Sequence, residues 1–338
     1  MSSFFRNLFG SKKTAKVTKK SISRRLELLG LEERITPTVT ASWVSGVLAL
    51  TTTAGESLNS VVANADGTLS VNASAVVTAG TGVTVTGTAG ANTVTITTPS
   101  NVALTTSLSL VGDTTANNQT FTLGAINSTA YNANFGLSVD MGAVGSTDVL
   151  NFNGAVTLKG TGGLSTANVD NLTTAAAGDI VAAAGAISLN SALAGSMTIA
   201  GDVTTTSGAI SFTALTGAIT LNGNVAINST SGNLSMGTVT GSSSNLTISE
   251  GTGTVTVGAA NLGTGNLTVT STATPSSGSA ISLAAVTAGA VSLTGAGDVS
   301  VSGVVSATSV NAKSTAGNVI FATDVTTSGI GGFTSEAT

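Results

Sequence analysis

Gly232-Asn233-Leu234-Ser235-Met236, Gly253-Thr254-Val255-Thr256-Val257 and Gly265-Asn266-Leu267-Thr268-Val269 are three copies of one phrase. Each has a glycine, a small or polar residue, then two large apolar residues set two apart with Ser or Thr between them. Apolar residues two apart fall on one face of a strand and the hydroxyl residue between them falls on the other. The glycine supplies the turn that precedes the strand.

The phrase spreads outward from there. It occurs at 154–158, 185–189, 208–212, 217–221, 289–293, 297–301 and 317–321, and at Ser244–Ile248 with Ser in place of Gly. The copies at 232 and 253, 244 and 265, and 297 and 317 put two phrases into every 20 or so residues. Such strands are too short to bury a face alone, and a fixed period of this size marks a solenoid whose coils stack. The fold expected is all-β, a parallel β-helix with coils of about 20 residues. With coils about 4.8 Å apart, some 300 residues would form a rod on the order of 70 Å.

Composition agrees with a narrow, strand-built interior. Of 338 residues only 8% are charged and 3% aromatic, against about a quarter charged in an ordinary globular domain. Ser, Thr, Asn and Gly must therefore cover the surface. Residues 51–150 carry the same chemistry with weaker periodicity, as in Val83-Thr84-Val85 and Val94-Thr95-Ile96. The expected organisation is a basic leader over 1–37, a β cap or first coils over 38–100, and the solenoid over 101–338, cut short at its C-terminal end.

Charge divides at the leader. Nine of the eleven cations lie in the first 34 positions, and less Glu27, Glu32 and Glu33 they leave +6. Beyond them stand Lys159 and Lys313 against twelve acids, a balance of −10 with no Arg. So few cations cannot neutralise a run of phosphates, which excludes the body from nucleic-acid binding. The leader is disordered or a short amphipathic helix that stops before Pro37. The apolar patch at 41–50 comes late for a signal peptide and is too short to span a bilayer; no transmembrane helix is expected.

Within the leader, Arg25, Leu28, Leu31, Glu32, Glu33, Arg34 and Pro37 form an Arg-x-x-Leu-x-x-Leu-Glu-Glu-Arg-x-x-Pro run. It resembles the N-terminal Leu-Glu-(Asp/Glu)-Arg-x-x-Pro signature on large exported proteins of planctomycete bacteria, with Glu33 where Asp is usual. That resemblance implies export, with the leader addressed to the export machinery and the body extracellular or on the cell surface. The phrases over about 150–325 are similar to the strand repeats of filamentous-haemagglutinin-like and autotransporter-type adhesins. That likeness implies right-handed parallel β-helices acting in attachment, although those families' secretion domain and membrane barrel are not recognisable here.

The catalytic inventory is thin. With no His and no Cys, Ser-His and Cys-His nucleophiles and thiolate metal sites are excluded, and no cofactor is expected. Asp148 with Asp170 and Asp179 with Asp202 lie about one coil apart. Stacked, such pairs could face a glycan or a Ca²⁺ ion, or simply fill turns. Lys159 and Lys313 read as isolated surface charges. Asn233, Asn245, Asn266 and Asn318 share one place in the phrase, as a hydrogen-bonded ladder or as ordinary turn residues. Trp43 and Tyr131 are too few to make a sugar site.

The function expected is therefore structural and non-enzymatic: an adhesin-like repeat rod acting by self-association or by contact with a matrix, glycan or cell-surface ligand. A degenerate β-helix acting on polysaccharide, or a stalk for a missing C-terminal domain, are the alternatives.

Overall fold

The computed structural model describes residues 120–127, 136–141, 147–214 and 217–338, and upstream of these the backbone of strands between 39 and 111. All lie within one compact unit, Thr38–Thr338. The leader and its export signature, Arg25, Leu28, Leu31, Glu32, Glu33, Arg34 and Pro37, lie outside the described residues, as does Tyr131.

The chain forms a parallel β-solenoid of about eight turns with about 23 residues in each, slightly longer than the spacing of the phrases suggests. Each turn lays three strands on the turn before. The first strands stack as Leu164, Ile187, Ile210, Leu234, Val255, Ile281, Val299 and Val319. The second stack as Leu172, Met197, Ile219, Val239, Ala260, Val286 and Val305. The third stack as Val156, Ile180, Val203, Ile227, Ile248, Val269 and Leu293. Some strands run unbroken round a corner, such as Ile187–Ile199 and Val286–Gly295.

These columns are the core. Their side chains interlock as one cluster, with Phe121, Phe152 and Phe212 its largest fully buried members. Burying a Leu or Ile in this way contributes roughly 1.5–3 kcal/mol. No single strand could supply enough; the stack does. In the last turn, Val319–Phe321 and Val325–Ala337, the pattern weakens. Phe333 is 46% exposed and meets Phe321 edge to face at 5.2 Å.

Pairing upstream differs in kind. Val39–Val44 pairs antiparallel with Val47–Thr52, and Thr68–Val71 pairs antiparallel with both Ser60–Ala63 and Ser74–Thr78. From Gly82–Thr86 onward every described pairing is parallel. Among the described residues no helix is long and apolar enough to cross a membrane.

Candidate functional site: hydroxyl rows and bridged corners

Because the turns stack in register, each position of a strand becomes a straight row along the solenoid, with neighbours about 4.8 Å apart. The outward row on the first strands is Ser165, Ser188, Ser211, Ser235, Thr256, Ser282 and Ser300. On the second strands it is Thr173, Thr198, Thr220, Thr240, Asn261, Thr287 and Ser306. On the third strands two rows run side by side, Thr247, Thr268 and Ser292 beside Ser249, Thr270 and Thr294. All these side chains are exposed or half-buried. They touch along the row in places: Thr220 and Thr240 hydroxyls lie 3.4 Å apart, and the Ser165 hydroxyl donates to Ser138 at 3.4 Å.

A second use of hydroxyls lies inside. At the corner after the third strand, glycines stack on one another. A Cβ on Gly232 or Gly253 would run into the carbonyl of the glycine one turn below. Here glycine is required because two backbones touch. A buried hydroxyl bridges three such pairs. The Thr205 hydroxyl donates to the Gly185 carbonyl at 3.1 Å and accepts from the Gly208 N–H at 3.1 Å. Ser229 does the same between Gly208 and Gly232, at 3.3 and 3.1 Å. Ser314 does so between Gly297 and Gly317, at 2.9 Å each, and Ser271 donates to Gly253 at 2.9 Å.

Glu250 occupies this column in the intervening turn, paired in register with Ser229 on one side and Ser271 on the other. It is only 2% exposed. Oε1 accepts from the Gly253 N–H at 3.1 Å, while Oε2 is buried with no hydrogen-bond partner. Burial pushes its carboxyl above the ordinary value, opposed in part by the Gly253 N–H and by the nearby Ser229 hydroxyl and Gly251 amide, whose own hydrogens go to the Gly208 and Ser229 carbonyls. This residue escapes a motif search because it is a lone acid. Two signals do point to it. It is the one ionisable side chain between Val203 and Gly297, and Glu250-x-x-Gly253 matches Thr205-x-x-Gly208 and Ser229-x-x-Gly232.

Of the asparagines sharing that place in the phrase, Asn245 and Asn266 join Asn224 in a ladder, while Asn233 and Asn318 lie in a second column without one. The Asn224 Oδ1 accepts from the Asn245 N–H at 2.9 Å, Asn245 from the Asn266 N–H at 2.8 Å, and Asn266 from the Ala290 N–H at 2.8 Å. Asn233 accepts from the Thr254 N–H at 3.0 Å, and the Asn318 N–H donates to Asp298 at 2.7 Å in that same column.

Both carboxylate pairs are stacked, and both are used in this way. Asp170 Oδ2 accepts from the Asp148 N–H at 2.8 Å. Asp179 Oδ1 accepts from the Asp202 N–H at 2.9 Å, and Asp202 Oδ1 accepts from the Ala226 N–H at 2.7 Å. These acids splice one turn to the next. Among the described residues no three His, Cys, Asp or Glu side chains gather as a metal cage.

Lys159 is exposed. Lys313 is not an isolated charge: its Nζ lies 3.1 Å from Glu336 Oε2, directly across in the next turn. Trp43 lies in the strand Val39–Val44. Comparison with family models, with curated proteins and with solved structures returned no match to this chain.

Proposed function

We propose that this chain is an exported, non-catalytic surface protein whose solenoid serves attachment or envelope assembly through its outward Ser/Thr/Asn rows. The observation that carries the reading is the uniformity of those rows. Through the middle turns three faces repeat the same uncharged hydroxyl and amide chemistry, before Ile320 ends the row on the first strands and Lys313 and Glu336 end one on the third. Such faces suit a partner that is itself uncharged, extended and repetitive, such as a polysaccharide matrix. One hydroxyl contact is weak, about 0.5–1.5 kcal/mol net. A row multiplies it, because after the first contact the next is effectively intramolecular.

Export rests on the leader's Leu31-Glu32-Glu33-Arg34-x-x-Pro37 run and its resemblance to planctomycete exported proteins. The attachment role rests on the rows and on the likeness of the phrases to adhesin repeats.

Antibody labelling of the repeat body on intact cells, with mass spectrometry of the mature N-terminus, tests the reading. Labelling of whole cells, with the segment before about residue 38 removed or membrane-held, supports it. Signal only after lysis, with Met1 or Ser2 still in place, sinks it. On the purified protein, replacing Thr198, Thr220 and Thr240 with Lys should lower retention on the organism's own envelope polysaccharide while leaving the unfolding midpoint near that of the parent.

A further inference from the structure

The corner bridge makes a chemical demand that Glu250 can meet in only one protonation state. In this column Ser271, in the turn after Glu250, donates to the Gly253 carbonyl and accepts from the Ala273 N–H, whereas at Thr205, Ser229 and Ser314 the hydroxyl does two things at once. It accepts from the N–H of the glycine that opens the next turn, and it donates to the carbonyl of the glycine that opened its own. For Glu250 those partners are Gly253 and Gly232. The first bond is present, from the Gly253 N–H to Oε1. The second needs a hydrogen. An ionised carboxylate only accepts, whereas the neutral acid carries one O–H donor. Oε2, the oxygen that would carry it, is buried and has no partner.

Nothing nearby offsets a negative charge. The flanking strands Val225–Ser229 and Leu267–Ser271 contain no titratable side chain. The strands completing these turns, Leu234–Met236, Val239–Thr240, Val255–Val257 and Ala260–Asn261, contain none either. The groups facing the carboxyl are the Ser229 hydroxyl and the amides of Gly251 and Gly253. Backbone and hydroxyl donors alone must therefore solvate any charge placed here, in a site closed to water.

We propose that Glu250 is an acid-closed latch: carrying its proton it bridges Gly232 and Gly253 as the hydroxyls bridge their glycines, and losing it opens that corner of the solenoid. The device lies midway along a stretch of otherwise uncharged turns, so one proton governs how firmly the turn at 234–250 is held to the turn at 255–271. The inference stands apart from the attachment reading.

The direction follows from linkage. The buried carboxyl holds its proton to higher pH than it does once the corner is open, so the stabilisation is complete below the ordinary Glu value. It is lost as pH rises from there through the folded-state value, beyond which it is constant. Within that window, opening at the corner should grow about tenfold per pH unit.

The experiment compares the full chain with Glu250→Gln and Glu250→Ser. Gln keeps an acceptor and a donor without a titrating proton, and Ser restores the column's ordinary residue. Urea midpoints between about pH 4 and 8 are read beside hydrogen exchange at 246–253, corrected for intrinsic rates. The parent should lose midpoint relative to both variants as pH rises, with opening confined to 246–253, and either variant should abolish that loss. Parallel profiles for parent and variants, or opening spread evenly over all turns, would overturn the proposal.

Discussion

Gly208→Ala is the sharpest test of the stacked corner. Gly208 has no left-handed φ, so alanine is permitted by the backbone, and replacing Gly there would ordinarily stabilise by about 0.4–1 kcal/mol through the unfolded chain. Packing opposes this. The new Cβ would stand 2.7 Å from the Ala186 nitrogen and closer still to the carbonyl of Gly185, all backbone atoms that cannot swing aside. Non-bonded carbons settle at about 3.5–4.0 Å, so the two turns must part by roughly 1–1.5 Å.

Two hydrogen bonds close this corner: the Thr205 hydroxyl to the Gly185 carbonyl at 3.1 Å, and the Ile187 N–H to the Ala209 carbonyl at 2.8 Å. Each is worth about 1 kcal/mol, and a buried hydroxyl left unsatisfied costs a further 1–3 kcal/mol. After the entropic gain is subtracted, Gly208→Ala should destabilise by about 2–4 kcal/mol. Gly237→Ala is the control, because its Cβ would meet nothing nearer than the Phe212 carbonyl oxygen at 4.0 Å and its φ is also not left-handed. It should be neutral or stabilising. Repeat arrays unfold with imperfect cooperativity, so urea unfolding is read together with hydrogen exchange turn by turn. If Gly208→Ala matches Gly237→Ala, the corner is looser than described and the steric argument fails.

Ser229→Ala removes one bridge and leaves the Gly208 carbonyl and Gly232 N–H buried without it, so denaturant unfolding should show a loss of about 2–4 kcal/mol; Ser229→Thr, the residue of the turn below, should retain most of the stability. Asn245→Asp alone keeps the acceptor for the Asn266 N–H and should cost little. The Asn245→Asp/Asn266→Asp pair sets two carboxylates about one inter-strand spacing apart, and its loss should exceed the sum of the single changes by about 1 kcal/mol at neutral pH. That excess should vanish when both are protonated near pH 3, which thermal unfolding of the four proteins would show.

The solenoid was legible because period-2 alternation and a fixed repeat are written directly in residues such as Gly253-Thr254-Val255-Thr256-Val257. The number of strands per turn was not. The phrase marks whichever strand follows a glycine turn: Gly232 opens a first strand, Gly217 a second and Gly265 a third. The second strand Val239–Thr240 is too short to stand out. The inner hydroxyl column was hidden for a different reason. Ser229 and Thr205 resemble every outward Ser and Thr in the chain, and only the corner geometry turns them inward. The carboxylate pairs were correctly placed one turn apart, but spacing alone could not say that their oxygens would be occupied by backbone N–H groups. Lys313 was misread as isolated because its partner is 23 residues away and adjacent only through register.

Register also explains the composition. In a parallel stack a residue type that recurs in every turn meets its own copies about 4.8 Å away above and below. A charge in such a row would face a like charge at each step, at roughly 1 kcal/mol per contact even in water and more near a protein surface. Ser, Thr and Asn can be repeated without that repulsion, and Asn adds a hydrogen bond to each step. The exceptions obey the same logic. Lys313 stacks on Glu336 with opposite sign, Asp179 and Asp202 each engage a backbone N–H of the following turn, and Glu250 stands in a column of hydroxyls. Low charge is thus a condition of stacking and by itself says nothing of a partner. What it leaves open for recognition is the outward side of each strand, where Thr198, Thr220 and Thr240 are free to vary without touching the core and are nevertheless the same residue turn after turn.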